Sequence, residues 1–106
     1  ISAKFAGPPP PTKPKGLFDD HLRTAFNTTM REDMASMRAA LAAHDATAAI
    51  ATLHRMRGSL VVMNAEDIAR FCGVLEQKIA DEGLTPMLEN AARSTLAQLA
   101  DRYKEL

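Results

Sequence analysis

A histidine, an arginine and a glycine follow one another closely in the segment His54-Arg55-Met56-Arg57-Gly58-Ser59. In a helix, residues three and four positions apart are neighbours on the surface. Helical side chains lean toward the N-terminus, so a side chain at position 58 would normally cover the surface beside residue 54. Gly58 leaves that surface open, and Arg57 adds a permanent positive charge next to it. An open imidazole beside an anion-binding side chain is what a histidine needs in order to carry a phosphoryl group.

Each of these residues also has a purely structural interpretation. A single histidine at the edge of an apolar stripe is commonly a tolerated polar residue, although its neutral form is a nucleophile. Gly58 costs about 1 kcal/mol relative to alanine in a helix interior, and it could serve to let two helices pack closely. Ser59 is rotated by about 100° from Gly58 on a helical wheel and is less clearly placed to help. The segment alone leaves both interpretations open.

The composition predicts one small helical domain. The chain has 106 residues, 46% of them apolar, with abundant alanine, one tyrosine and no tryptophan, and this length allows one domain at most. The single cysteine excludes an internal disulfide and fits a reducing compartment. No run of 18 apolar residues and no signal-peptide pattern is present. Because the sequence begins with isoleucine, we expect it to be part of a longer chain.

Charge is unevenly distributed between the two ends of the chain. Of the 13 basic and 13 acidic residues, three lysines and no acid fall in residues 1–16, which leaves 10 basic against 13 acidic residues, a net −3, in the remainder. A domain with that balance is poorly suited to nucleic acid, because neutralising phosphates needs a basic surface. Residues 1–16 are rich in proline, glycine and lysine, which predicts an extended interdomain linker. A ligand for a proline-binding module is the alternative.

Helical periodicity continues from residue 17 to the end of the chain in four segments. The first predicts a helix over about 18–43, with a break near 27–29 as an alternative. Its stripe is Leu22, Phe26, Met30, Met34, Met37 and Leu41. The methionines suit a core, and a promiscuous binding face is the alternative interpretation.

The second helix should begin after Asp45 as N-cap, and it carries His54. Its expected apolar face is Ile50, Leu53, Met56, Leu60 and Val61. For the third helix we predict Asn64 as N-cap, acidic residues in the first turn and Gly83 as the stop. Its stripe is Ile68, Cys72, Leu75 and Ile79.

The fourth helix should begin with Thr85 as N-cap and Pro86 at the first helical position. Its stripe is Met87 or Leu88, then Ala92, Thr95, Leu96, Leu99 and Tyr103. Four helices joined by short turns predict an all-α, antiparallel up-down four-helix bundle over residues 17–106.

The other residues of chemically reactive types have structural interpretations. His21 and His44 have no metal-ligand partner at helical spacing and should be solvated, and Cys72 should be a buried, inert thiol. Glu76 lies outside the apolar stripe of the third helix, where it is either a surface charge or a partner for a residue of another helix. We find no phosphate-binding glycine loop and no acidic cluster for Mg²⁺. Any ATP or metal needed for phosphoryl transfer must therefore come from another protein.

The histidine-containing phosphotransfer (HPt) domain is the family that this chain resembles. The resemblance is carried by His54, Arg57, Gly58 and Ser59, then Met63-Asn64-Ala65, then Ile68, Cys72 and Leu75-Glu76. It covers roughly residues 18–105. The Pro-rich linker is similar to that before the last module of tripartite hybrid sensor kinases, of which Bvg-type virulence sensors look closest.

This resemblance implies a set of roles. His54 matches the phosphoacceptor, modified at Nε2, and Gly58 matches the glycine that opens access to it. Arg57 stands where the family usually has lysine, which keeps the charge on a larger, planar group. Asn64 replaces the usual glycine, and Asn suits a cap or a left-handed position. Bulkier residues than usual at 60–62 should alter the packing of the second helix.

The implied function is that of a phosphorelay intermediate in two-component signalling. It would accept a phosphoryl group from a receiver-domain aspartate of a parent hybrid kinase and pass it to the receiver of a response regulator. It would need no cofactor of its own, with Mg²⁺ held by the receiver, and would not be an enzyme alone. We expect a monomeric cytoplasmic module of an inner-membrane sensor kinase, without nucleic-acid or direct membrane contact. A helical interaction or dimerisation module without phosphate chemistry is the competing hypothesis.

Overall fold

Four helices make up the part of the chain that the computed structural model describes, residues 20–103. They are α1 (Asp20–Ala42), α2 (Ala46–Val62), α3 (Glu66–Glu82) and α4 (Pro86–Arg102). Connections of three residues join each helix to the next, and no strand occurs in this range. The predicted all-α four-helix bundle is confirmed. The predicted linker, residues 1–16, lies outside the described residues.

The core is formed by the predicted stripes. Twenty buried apolar residues make one cluster, to which all four helices contribute. Those with essentially no exposed surface include Met30, Leu41, Leu53, Leu60 and Leu99. The methionines of α1 are therefore core residues. Burying a side chain of this size contributes about 1.5–3 kcal/mol, which is what holds α2 and its surface residues in place.

Two residues of the predicted stripes lie outside the core, and the alternative of a break in α1 is not observed. Helix α1 runs without a break through 27–29, because Phe26 and Met30 on either side both pack into the core. Val61 is 48% exposed and lies outside the core. Leu22, near the start of α1, is 38% exposed and also lies outside the core.

The turns α1–α2 and α2–α3 have the same geometry. In each, the second residue after the helix takes a left-handed conformation, at His44 (φ 53°) and Asn64 (φ 63°). The next residue then donates its N–H five residues back, from Asp45 to Ala40 and from Ala65 to Leu60, which closes the helix end in a Schellman-type turn. The prediction that Asn64 is the N-cap of α3 is therefore wrong. The N-cap is Ala65, which makes no side-chain hydrogen bond to the helix. Asparagine is tolerated at a position that favours glycine.

The other predicted caps are confirmed. The side chain of Asp45 accepts a hydrogen bond from the N–H of Ala48 at 3.0 Å, and Thr85 accepts one from Leu88 at 3.2 Å. Pro86 is the first residue of α4, and Gly83, at φ 82°, follows the last residue of α3. Of the two alternatives for α4, Leu88 is buried, and Met87 is 78% exposed.

Polar contacts and one aromatic contact tie the helices together. Arg102 of α4 donates two hydrogen bonds to the carboxylate of Asp67 on α3, at 3.2 and 2.9 Å. This hydrogen-bonded cation lowers the pKa of Asp67 to about 2. The rings of Phe26 and Tyr103 meet edge to face at 5.0 Å, which joins α1 to the end of α4.

Candidate functional site

His54 lies on the exposed surface of α2, at the side that faces α3. Its side chain is 68% exposed, although the residues just before and two positions after it, Leu53 and Met56, are fully buried. The backbone at this position is therefore held by the core while the imidazole is in solvent. His21 and His44 are exposed as predicted and lie on other segments.

The Nδ1 atom of His54 is the ring nitrogen that contacts other side chains. Arg57 Nη2 lies 2.9 Å from it, and Glu76 Oε1 of α3 lies 3.4 Å from it. The Nε2 atom has no hydrogen-bond partner among residues 20–103. One ring nitrogen is thus occupied by the protein, and the other is available to a partner in solution.

Glu76 connects the two helices at this site. Its side chain is only 15% exposed, and its Oε2 atom lies 3.3 Å from Arg57 Nε. That oxygen is buried and has no hydrogen-bond partner within the described range, so the approach of Arg57 is an ion pair whose geometry falls short of a hydrogen bond. Of the two interpretations of Glu76, the structure supports the partner for another helix.

The two neighbours of Nδ1 favour opposite tautomers of His54. When Arg57 donates a hydrogen bond to Nδ1, that atom holds the lone pair and Nε2 carries the proton. When Nδ1 carries the proton, it faces the Glu76 carboxylate, and Nε2 holds the lone pair. Only the second state makes Nε2 a nucleophile. The hydrogen bond that the other ring nitrogen makes decides which tautomer is present.

Gly58 lies one turn after His54 in α2 and is exposed. A Cβ atom added to it would meet no atom within 4 Å. Close packing of another helix therefore does not explain this glycine within residues 20–103, and the interpretation of Gly58 as a packing residue loses its support. The open space lies over the surface beside residue 54, where a helical side chain at 58 would lean.

Ser59 is on a different side of α2. It lines an apolar groove against α1 together with Leu22 and Phe26, away from the contacts of His54. The bulky residues at 60–62 do not disturb the packing of α2, because Leu60 is accommodated in the core while Val61 and Val62 are exposed. Helix α2 keeps a regular apolar face despite these larger side chains.

Cys72 is buried beneath the site and is not a nucleophile. Burial raises its pKa to about 11, with the nearby Glu76 carboxylate adding to that rise, so the thiol stays protonated at neutral pH. In the part of the chain that the structure describes, no group of three His, Cys, Asp or Glu side chains is placed to hold a metal ion. None of the four helices is long and apolar enough to cross a membrane.

Sequence reasoning placed His54, Arg57 and Gly58 together, and the structure brings all three to one surface. It did not assign a role at this surface to two residues of α3: Glu76, and Gly73, where an added Cβ atom would lie 2.9 Å from Arg57 Nη1. Their spacing of three residues was the available signal, because it puts both on one face of α3. Nothing in the sequence alone showed that this face meets Arg57.

Comparison with known proteins identifies a family. The family model of the Hpt domain matches residues 21–106, which covers α1 from its second residue, the other three helices and the His54 surface. No curated protein and no solved structure matches the chain.

Proposed function

This chain belongs to the Hpt domain family, and we propose on that premise that His54 is its phosphoacceptor. Hpt domains are histidine phosphotransfer modules of two-component signalling that interact with receiver domains and have no catalytic activity of their own. One observation carries the assignment of the residue: Nδ1 of His54 is engaged by Arg57 and Glu76, while Nε2 of this 68% exposed side chain has no hydrogen-bond partner among residues 20–103.

The transfer step follows from these contacts. With its proton on Nδ1, the neutral imidazole attacks the phosphorus of a receiver aspartyl phosphate through the Nε2 lone pair. The N–P bond forms as the P–O bond breaks, and the aspartate leaves as a carboxylate. The ring of the product carries a positive charge, because Nδ1 keeps its proton, and Glu76 lies where it can balance that charge. The reverse step passes the phosphoryl group to a second receiver.

Arg57 changes its partner before this step. A protonated Nδ1 is a donor and no longer accepts from Arg57, so the guanidinium is released toward the phosphoryl oxygens. Those oxygens accept charge-assisted hydrogen bonds from the guanidinium. The ion pair with Glu76 keeps the arginine at the site. Mg²⁺, where the reaction needs it, is supplied by the receiver.

A strip of mostly small side chains on α2 suits the docking of a receiver. By helical spacing, Thr47, Ala51, Gly58 and Val61 lie on the same side of α2 as His54, and all four are exposed. A flat surface of small side chains lets the receiver's aspartyl phosphate approach the imidazole, and charged residues at its rim add specificity.

The wider setting is also proposed. The donor is the receiver of a parent hybrid sensor kinase similar to the Bvg-type sensors, and the acceptor is that of a response regulator. The domain acts as a monomer in the cytoplasm, without binding nucleic acid.

A transfer assay tests the proposal against that of an interaction module without phosphate chemistry. A receiver domain charged with acetyl phosphate is mixed with the protein, and acid-labile, base-stable phosphate is measured. We expect label on the wild-type protein and none on His54→Gln, which keeps its helical content because the ring is outside the core. His21→Gln, which removes an exposed histidine of α1, is the matched control and should be labelled like wild type. Absence of label on the wild-type protein contradicts the proposal.

A further inference from the structure

Gly73 lies in the interior of α3, where neither a turn nor a helix end explains a glycine. A Cβ atom at this position would lie 2.9 Å from Nη1 of Arg57 and 3.6 Å from its Cδ. Unbonded Cβ atoms do not approach a nitrogen to within 3 Å, so any larger residue requires the guanidinium to move. The space that the missing side chain leaves is filled by Arg57.

All three nitrogens of this guanidinium have defined neighbours. Nη1 lies over Gly73, Nη2 lies 2.9 Å from His54 Nδ1, and Nε lies 3.3 Å from Glu76 Oε2. Gly73 and Glu76 are three residues apart and so share one face of α3. That face therefore offers the planar group both an open surface and a carboxylate.

We infer that Gly73 is a positioning residue for Arg57, a role that deepens the proposed function and rests on it. The glycine lets the guanidinium lie between α2 and α3 at the level of the imidazole. With a side chain at 73, Arg57 is displaced into solvent and loses its contacts with His54 and Glu76. The loss that slows transfer is that of the Glu76 ion pair, because this pair keeps the guanidinium beside the phosphoryl oxygens. A lysine at position 57 has no second terminal nitrogen, so it has less need of that space.

Gly73→Ala should fold normally. The atom that the new methyl group meets is the far end of a side chain that is 38% exposed, so the arginine yields and the backbone of α2 does not. Alanine is also the better helix former at an interior position. A thermal midpoint at or above that of the wild-type protein is expected, and it separates the loss of positioning from a loss of fold.

A double-mutant cycle tests the inference. Transfer rates from a phosphorylated receiver are measured for wild type, Gly73→Ala, Arg57→Lys and the double variant. We expect Gly73→Ala to slow transfer at least about threefold when residue 57 is arginine, and to change it by less than about 1.5-fold when residue 57 is lysine. Lys78→Ala, at an exposed position of the same helix, is the control and should transfer at the wild-type rate.

A second measurement does not depend on phosphate chemistry. The Nε–Hε resonance of Arg57 is recorded by NMR in the unphosphorylated protein, and Gly73→Ala should shift it toward the position of a solvated arginine. An unchanged resonance overturns the inference, and so does an equal slowing by Gly73→Ala in both backgrounds. If the resonance shifts but no variant, including wild type, accepts phosphate, the positioning of Arg57 stands and the proposed function fails.

Discussion

Gly58 provides the clearest test of why a glycine stands beside His54. If it gives access, adding a side chain should leave the fold intact and hinder transfer. If it serves packing, the same change should destabilise the bundle. Because a Cβ atom at 58 would meet nothing within 4 Å, the structure favours the first result.

The size of the effect can be worked out for two substitutions. Gly58→Ala removes a helix penalty of about 1 kcal/mol, and for a domain of this size that raises the thermal midpoint by about 4–8 °C. Gly58→Leu should raise the thermal midpoint slightly less, since leucine is a somewhat weaker helix former than alanine. The methyl group of alanine is too short to cover the ring. The leucine side chain leans over residue 54, so transfer should fall at least about tenfold, equivalent to about 1.4 kcal/mol in the barrier.

Two assays on the same samples are sufficient. Thermal unfolding followed by circular dichroism gives the midpoint, and stopped transfer reactions with a phosphorylated receiver give the rate. Gly58→Ala is the control for Gly58→Leu, because it changes helix propensity with little added bulk. A lower thermal midpoint for both variants would show that Gly58 does serve packing. Transfer by Gly58→Leu at the wild-type rate would refute the role of Gly58 in access to the imidazole.

Three further predictions concern other contacts. Glu76→Gln keeps the size of the side chain but removes the charge near His54 Nδ1. Because the imidazole partner is 68% exposed, we expect a loss of about 0.5–1 kcal/mol, or a two- to fivefold slower transfer, and an unchanged rate would contradict a role for the carboxylate. Asp67, whose pKa falls from 3.8 to about 2 beside Arg102, should stabilise the fold above about pH 4 and lose that contribution as the pH falls toward 2. Asp67→Asn should therefore show a smaller loss of thermal midpoint over this pH range, and identical acid profiles would count against the pair. Asp45→Ala removes the cap of α2 and should cost about 1 kcal/mol in chemical unfolding, whereas no change would show that solvent replaces the cap.

Much of the fold was predictable because it depends on local rules. The apolar residues of α1, α2 and α3 recur at helical spacing, and their burial follows from that periodicity. Asp45, Thr85 and Gly83 marked helix ends correctly because capping depends on a few neighbouring residues. Asn64 was misassigned for a related reason, since asparagine suits both an N-cap and a left-handed turn. The left-handed φ of Asn64 and the hydrogen bond from Ala65 back to Leu60 distinguish the two.

The position of His54 at the edge of an apolar stripe, with Arg57 and Gly58 beside it, follows from the sequence, because helix geometry within α2 sets these relations. Which residues of another helix face them becomes visible only in the folded bundle. The packing of α3 against α2 brings Glu76 to Nδ1 of the imidazole and places Gly73 beneath the arginine. Contacts of this kind depend on how each helix is rotated about its axis and how closely the two helices pack. Neither quantity follows from the local sequence of one helix.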